Sequence, residues 1–596
     1  MHTMSDKWNL DDIYTGFDSP EFLADFEGLK DRIEEMNGLS AKLTDFAQAV
    51  ELILMYEDYC ITADRLGSYI GYVASTNTED EDASKYEYLL ETRTAEGRPT
   101  EVRLSAFLAK HEKDIEELAK AHGLEDYIFK MRVMIEEHAH LMSEEEETLA
   151  TQLAATGSSA WALLHEELTA NLVCKYKDPI KDKIRKINIT DCRNLAYNPN
   201  AKVRKAAYKA ELSAYRKIAE SCAAALNGIK GEVNLTCRKR HFAGPLEQTL
   251  FESGLTQKTL DAMFAAIDEN IEYFRDYLKA KARYLNSESL KGLPFYDLYA
   301  PVGNSAKKDF TYEDAKKFVL ENFAKFSPAM AQVAQQAFDE QWIDVYPREG
   351  KVDGAYCGRI YAVNQFRILL NFGGNLSDAI TLAHELGHGY HNMQLMNERY
   401  LNTDEPMPLA ETASTFCEIV VTNAALETLE GQEKLQLLEN SLQEATGTII
   451  DIYSRFLFEK EVFDTRLDHP LTVKELKKLM KKSQRATYGD GLHPDYLHPY
   501  MWLIKPHYYD ADESYYNFPY AFGLLLANGL YKIYTDDPGS FEAKYNNFLR
   551  ATGKMYVKDC CALLGIDVED ISFWRAALDV IKKNIEEFKQ AVPAAL

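Results

Sequence analysis

The five residues His384-Glu385-Leu386-Gly387-His388 constrain this chain more than any other stretch. Two imidazoles four residues apart share a face only on an α-helix, one turn apart. There both can hold a single zinc ion while Glu385 is aimed at a water on it. A helix is therefore expected here, together with a second element that completes the site.

The flanking residues agree. Arg367-Ile368-Leu369-Leu370-Asn371-Phe372 is a short apolar run suited to a strand, and Gly373-Gly374 closes it. Ser377 or Asn375 can cap the helix that follows, Asp378 complements its positive end, and Ile380, Ala383, Leu386 and Gly387 continue at helical spacing.

A catalytic zinc takes three protein ligands and keeps one position open. A ligand set with Gly and His three and six residues after the second histidine is excluded, because those places hold His391 and Gln394. A glutamate from a second helix remains. Asn402, Asp404, Pro406 and Pro408 interrupt the chain, and residues 409–418 read as the start of another helix carrying Glu411 and Glu418. Seven residues is about two turns, so both carboxylates share a face. Glu411 is assigned as the ligand and Glu418 as the acceptor that orients a ligand imidazole, although spacing alone would allow the reverse.

These residues carry a resemblance. Thr381 to His388, followed by Ala410-Glu411-Thr412-Ala413-Ser414-Thr415-Phe416, resembles the oligoendopeptidase F branch of the thimet oligopeptidase-like zinc peptidases. Trp8 to Tyr14, Gly350 to Cys357 and the aromatic block near residue 510 are similar to that branch too. The resemblance implies a mainly α, two-lobed body, a deep central channel with a small β-sheet near the zinc site, one zinc per chain, and internal cleavage of short peptides. It also implies that His507 and tyrosines near it face the reacting carbonyl, where hydroxyl or imidazole donors stabilise the oxyanion. Tyr516 and Tyr520 are the tyrosines chosen for that role, and Tyr509 and Tyr515 are taken as further substrate contacts. His493 and His498 are read as solvated loop residues.

In the expected mechanism, Glu385 takes the proton of the water and passes it to the leaving amine. An exopeptidase would instead need a site for a free terminus. A non-catalytic peptide-binding protein would have no use for Glu385.

Gly (30) and Pro (18) are sparse in 596 residues, so long helices and few strands are expected, with helical periodicity clear over 43–72 and 259–284. A break at Tyr197-Asn198-Pro199-Asn200 suggests an N-terminal helical lobe over 1–200 and a catalytic lobe over 201–596. Residues 285–309 read as a loop. Residues 354–372 read as a small sheet whose edge, starting at Gly354 and Ala355, can hold an extended peptide.

A net charge of −27 argues against nucleic acid or an anionic membrane as partner. The polar, acidic opening and the absence of a long apolar span suggest no export and no membrane crossing. Nine cysteines without a C-x-x-C motif fit reduced thiols, so a cytoplasmic protein acting on short peptides is expected. The pattern sets no oligomeric state.

Overall fold

A computed structural model describes residues 6–286, 291–303 and 310–592. Helices dominate, as the scarcity of Gly and Pro requires, and five strands are present among the described residues. The two periodic stretches become helices Phe46–Thr76 and Gln257–Tyr284. Ser143 and Thr311 form capping boxes with Glu146 and Asp314, so the acidic run after Ser143 is a helix's first turn. Part of the loop expected at 285–309 lies outside the described residues; within the rest, Phe295–Asp297 forms a 3₁₀ turn.

The chain forms two compact units, and they interleave. Unit 1 takes Met1–His140, Lys307–Ala424 and Ile533–Ile566; unit 2 takes Leu141–Ala306, Ala425–Lys532 and Asp567–Leu596. The boundary expected at residue 200 therefore falls inside unit 2. Composition marks only a local turn there, whereas the division follows long-range packing.

Unit 1 is built on an aromatic core in which Tyr14, Phe22 and Tyr69 meet edge to face or tilted, with Tyr86 against Phe22. The same core reaches a three-stranded sheet. Its strands are β3 (Ile343–Asp344), β4 (Tyr356–Ile360) and β5 (Gln365–Leu369), in the order β3-β5-β4, with β5 parallel to β3 and antiparallel to β4. The apolar run thus becomes the central strand, and β4 lies at the edge. Arg367, on β5, is fully buried and donates to the carbonyl of Asn9 at 2.7 Å, tying the N-terminal segment to the sheet.

In unit 2, Gln257–Tyr284 packs along Ile571–Ala591, with Tyr277 and Phe588 edge to face at 5.3 Å. Two buried ion pairs, Lys281–Glu439 and Lys230–Glu459, lie in its interior. An antiparallel hairpin, β1 (Val173–Asp178) and β2 (Lys183–Asn188), was not anticipated: β2 is exposed almost throughout and carries no apolar alternation.

Candidate active site

The expected histidine helix is Leu376–Leu395. Asn375 is its cap, in a reciprocal capping box with Asp378, whose carboxylate also accepts from the N–H of Gly373 at 2.9 Å. One side of the helix lies on β4 and β5. Its glycines let it come close: a Cβ at Gly389 would meet the Phe366 ring, and one at Gly387 would lie 2.7 Å from Ser414 Cα.

That second approach brings in the glutamates. Glu411 stands at the junction between the short helix Met407–Ala410 and the glutamate helix Thr412–Thr428, with φ −87° and ψ 0°. This is the bridge region of backbone space, where active-site residues are frequent. Ser414, not anticipated, donates its hydroxyl to Glu411 Oε2 at 2.9 Å and holds the carboxylate.

Glu411 Oε2 lies 3.2 Å from His384 Nε2 and 3.2 Å from His388 Nε2. These three residues are the metal-capable group found among the described residues, with ligand atoms all within 4.8 Å of one another. Ligands around a tetrahedral zinc with bonds of about 2.0–2.1 Å are themselves separated by about 3.3 Å, so the donor set and the spacing fit that ion. Glu418 Oε2 is 3.3 Å from His384 Nδ1, the nitrogen facing away from Glu411, as an orienting acceptor requires. The two glutamate roles that spacing left exchangeable are thus differentiated by geometry.

Burial would push the His384 imidazole down, yet its hydrogen bonds to Glu411 and Glu418 outweigh burial and hold it up at about 10. Glu411 is held well below the usual carboxylate range, because the two imidazoles overcome the opposing effect of burial. Glu385 is raised by burial, and its Oε2 is buried with no partner, an acceptor left open beside the ligand group. Cys357, on β4, is close enough for Glu385 to raise its thiol further, after burial. Nothing in its spacing signalled that. Cys417 is buried with Sγ 3.6 Å from Met330 Sδ, a packing residue beside the site.

Gly354 is exposed, with φ +87°, and its carbonyl accepts from Asn371 Nδ2 at 2.9 Å. Ala355 is half-buried at the entry to β4.

The aromatic block belongs to unit 2. His507, on the 3₁₀ turn Pro506–Tyr509, stacks on Tyr516 with centroids 4.8 Å apart, and the hydroxyls of Tyr516 and Tyr520 are 2.8 Å apart. All three are half-buried, so each keeps an accessible face. Burial, with Arg455 and Lys505 nearby, pushes the His507 imidazole down, which favours the neutral ring.

Tyr509 and Tyr515 differ from expectation. Tyr509 is buried and stacked on His165 at 3.5 Å; Tyr515 is buried between Phe456 and Phe463. Neither presents a surface to a substrate. Tyr515 has φ +53°, which is costly for an aromatic residue, and the next ring, Tyr516, lies against His507. Register along a run of tyrosines could not reveal it. His493 and His498 are also buried rather than solvated, His498 lying 3.5 Å from Glu211.

Two family models match the chain: peptidase family M3 over residues 194–580 and the oligopeptidase F domain over 107–173. An oligoendopeptidase F homologue of Lactococcus lactis is 26% identical over 98% of this chain and 97% of its own. Oligopeptidase PepF of Bacillus subtilis is 24% identical over 98% and 87%. Among solved structures, a peptidase from Chlamydophila abortus superposes with a TM-score of 0.86 at 18% identity, covering 99% of each chain. Oligoendopeptidase F of Enterococcus faecium gives 0.69 at 20%, covering 96% of this chain and 99% of its own.

Proposed function

The chain belongs to peptidase family M3 and is a metallopeptidase, and we propose that it is a zinc-dependent oligoendopeptidase that hydrolyses internal bonds of short peptides. The observation that carries this reading is the His384–His388–Glu411 group with the unpartnered Glu385 oxygen beside it. Two imidazoles and one carboxylate suit zinc better than harder cations.

The chemistry that a bound zinc supplies is Lewis acidity, which draws a water toward ionisation and polarises the scissile carbonyl. Glu385 acts as general base on that water and then as acid to the departing amine; its buried, unpartnered oxygen is free to take the proton. Glu418 keeps the His384 ring turned and its Nε2 free for ligation. His507, Tyr516 and Tyr520 donate to the developing oxyanion. The edge strand β4, entered through Gly354 and Ala355, receives the peptide backbone by strand addition. No described helix is long and apolar enough to cross a membrane, and we assign the enzyme to the cytoplasm.

The test is a digest of end-blocked and unblocked peptides together with intact casein, read by mass spectrometry, with Glu385→Gln as control. Internal cuts in blocked peptides with casein spared are expected. Trimming from one end only, or fragments that persist in the variant, would overturn the assignment.

A further inference from the structure

The β1–β2 hairpin of unit 2 carries a charge opposite to that of the chain. Residues 173–188 hold six cations and two carboxylates, a local +4 in a protein of net charge −27. The inner side of β1, formed by Cys174, Tyr176 and Asp178, is buried, and the strand packs on the helix Ala201–Tyr215. β2 has no such side. Lys183 and Arg185, opposite Asp178 and Tyr176 in the register, are exposed, and so are Ile184 and Lys186 on the outer face, opposite Lys177 and Lys175. Local bonds shape the tip: Asp178 accepts the N–H groups of Ile180 at 2.9 Å and Lys181 at 3.1 Å, and Asp182 takes a left-handed φ of +46°.

Two features of this ribbon have no counterpart within the protein. The first is charge without neutralisation. Lys177 pairs with Asp182 at 3.1 Å, but Lys175, Lys181, Lys183, Arg185 and Lys186 have no carboxylate within ion-pair distance among the described residues. Lys175 and Lys186 stand directly opposite one another, which destabilises a ribbon left in water. The second is exposed apolar surface. Ile184 at 72% and Ile180 at 67% are two of the three most exposed large apolar side chains among the described residues. Lysines alone would guard a strand edge against pairing with another chain; isoleucines set among them work against that.

An anionic surface with an apolar layer beneath it suits both features. Phosphate oxygens of lipid headgroups accept from the cations, and the boundary of the acyl region takes the isoleucines. A nucleic acid would serve only the cations, because the ribbon's one aromatic residue, Tyr176, is buried and offers no ring to a base. The charge of the remaining chain does not oppose such a contact: beyond about 8 Å it is screened at physiological salt, whereas a six-residue strand spans roughly 20 Å.

We propose that the β1–β2 ribbon docks the protein on an anionic lipid bilayer, with Lys175, Lys183, Arg185 and Lys186 on the headgroup phosphates and Ile180 and Ile184 entering beneath them. Net charge alone gives the opposite expectation, and the ribbon reverses it locally. The ribbon uses no part of the metal group, so the proposal is independent of the peptidase reading.

Vesicle co-sedimentation across a salt series tests it, comparing phosphatidylcholine alone with phosphatidylcholine containing phosphatidylglycerol. Wild type is expected to bind the anionic vesicles about tenfold or more tightly than the neutral ones, and to lose that preference as salt rises. Lys186→Gln should weaken binding about fivefold, the scale of one cation at the surface. Lys183→Glu combined with Lys186→Glu should abolish it. Ile180→Ser combined with Ile184→Ser should weaken it about tenfold or more and leave the salt dependence unchanged. Melting curves check the fold of every variant, and Lys186→Gln should melt no lower than wild type, since it breaks a like-charged pair.

No binding to anionic vesicles, equal binding to both compositions, or binding that survives the double lysine variant overturns the proposal. So does binding of RNA in place of vesicles, weakened by the lysine variants and indifferent to the isoleucines, which would assign the ribbon to nucleic acid.

Discussion

Gly387 lies inside the zinc motif yet offers no ligand, and its replacement by alanine tests how the site is held together. A Cβ there would stand 2.7 Å from Ser414 Cα, 2.8 Å from the Ala413 carbonyl oxygen and 3.1 Å from Cys417 Cβ. Two of these are backbone atoms of the glutamate helix, so no side-chain rotation relieves the clash. Carbon atoms pack comfortably at about 3.5–4.0 Å, so the two helices must part by roughly 0.8–1 Å. Glu411 and Glu418 flank the contact point and move with their helix, whereas metal–ligand distances tolerate only about 0.2 Å. Gly387→Ala should therefore cost about 1–3 kcal/mol of stability by overpacking, and weaken metal binding by about 10–100-fold, the scale of a lost orienting partner. Gly389→Ala is the comparison: its Cβ would meet the Phe366 ring on β5, destabilising the fold but leaving the glutamate helix in place. Metal affinity by chelator competition and melting curves with and without metal separate the two. The reasoning fails if Gly387→Ala binds metal as tightly as wild type, or if both variants lose affinity equally.

Glu385→Gln should retain metal in elemental analysis and lose about 10²–10⁴-fold in kcat, because only the proton carrier is removed. Glu411→Gln should lose the metal itself. Glu418→Gln should fall between them, binding metal about 10–100-fold more weakly while the fold persists, measured by the same chelator competition. Tyr516→Phe and His507→Gln should each lower kcat by about a hundred-fold with little change in KM if they serve the oxyanion; a change in KM alone would assign them to binding.

The helical class, the histidine helix and its cap were legible because each is a short-range matter, while the glutamate helix was expected from the open ligand position and the family resemblance. A four-residue spacing, an Asn or Ser before an apolar run and a seven-residue spacing of carboxylates act within one or two turns. What escaped depends on contacts distant in sequence or on a single dihedral angle. Ser414 and Gly387 matter because two helices meet there. Tyr515, at φ +53°, is buried while Tyr516 is half-buried against His507, and tyrosine spacing is the same either way. The interleaving of the units escaped for the first reason: each unit collects three separated segments, and a Pro-Asn turn near residue 200 says nothing about which segments will pack together.

The central claim is that the group of His384, His388 and Glu411 holds one zinc on which Glu385 acts. The most direct measurement is a titration of metal-stripped enzyme with zinc, following cleavage of an end-blocked peptide alongside bound metal. Activity that rises in step with binding and levels off at one equivalent, with Glu385→Gln binding the same equivalent and staying inactive, is the predicted result. Full cleavage by the stripped enzyme, or one equivalent bound equally well by Glu411→Gln, would contradict it.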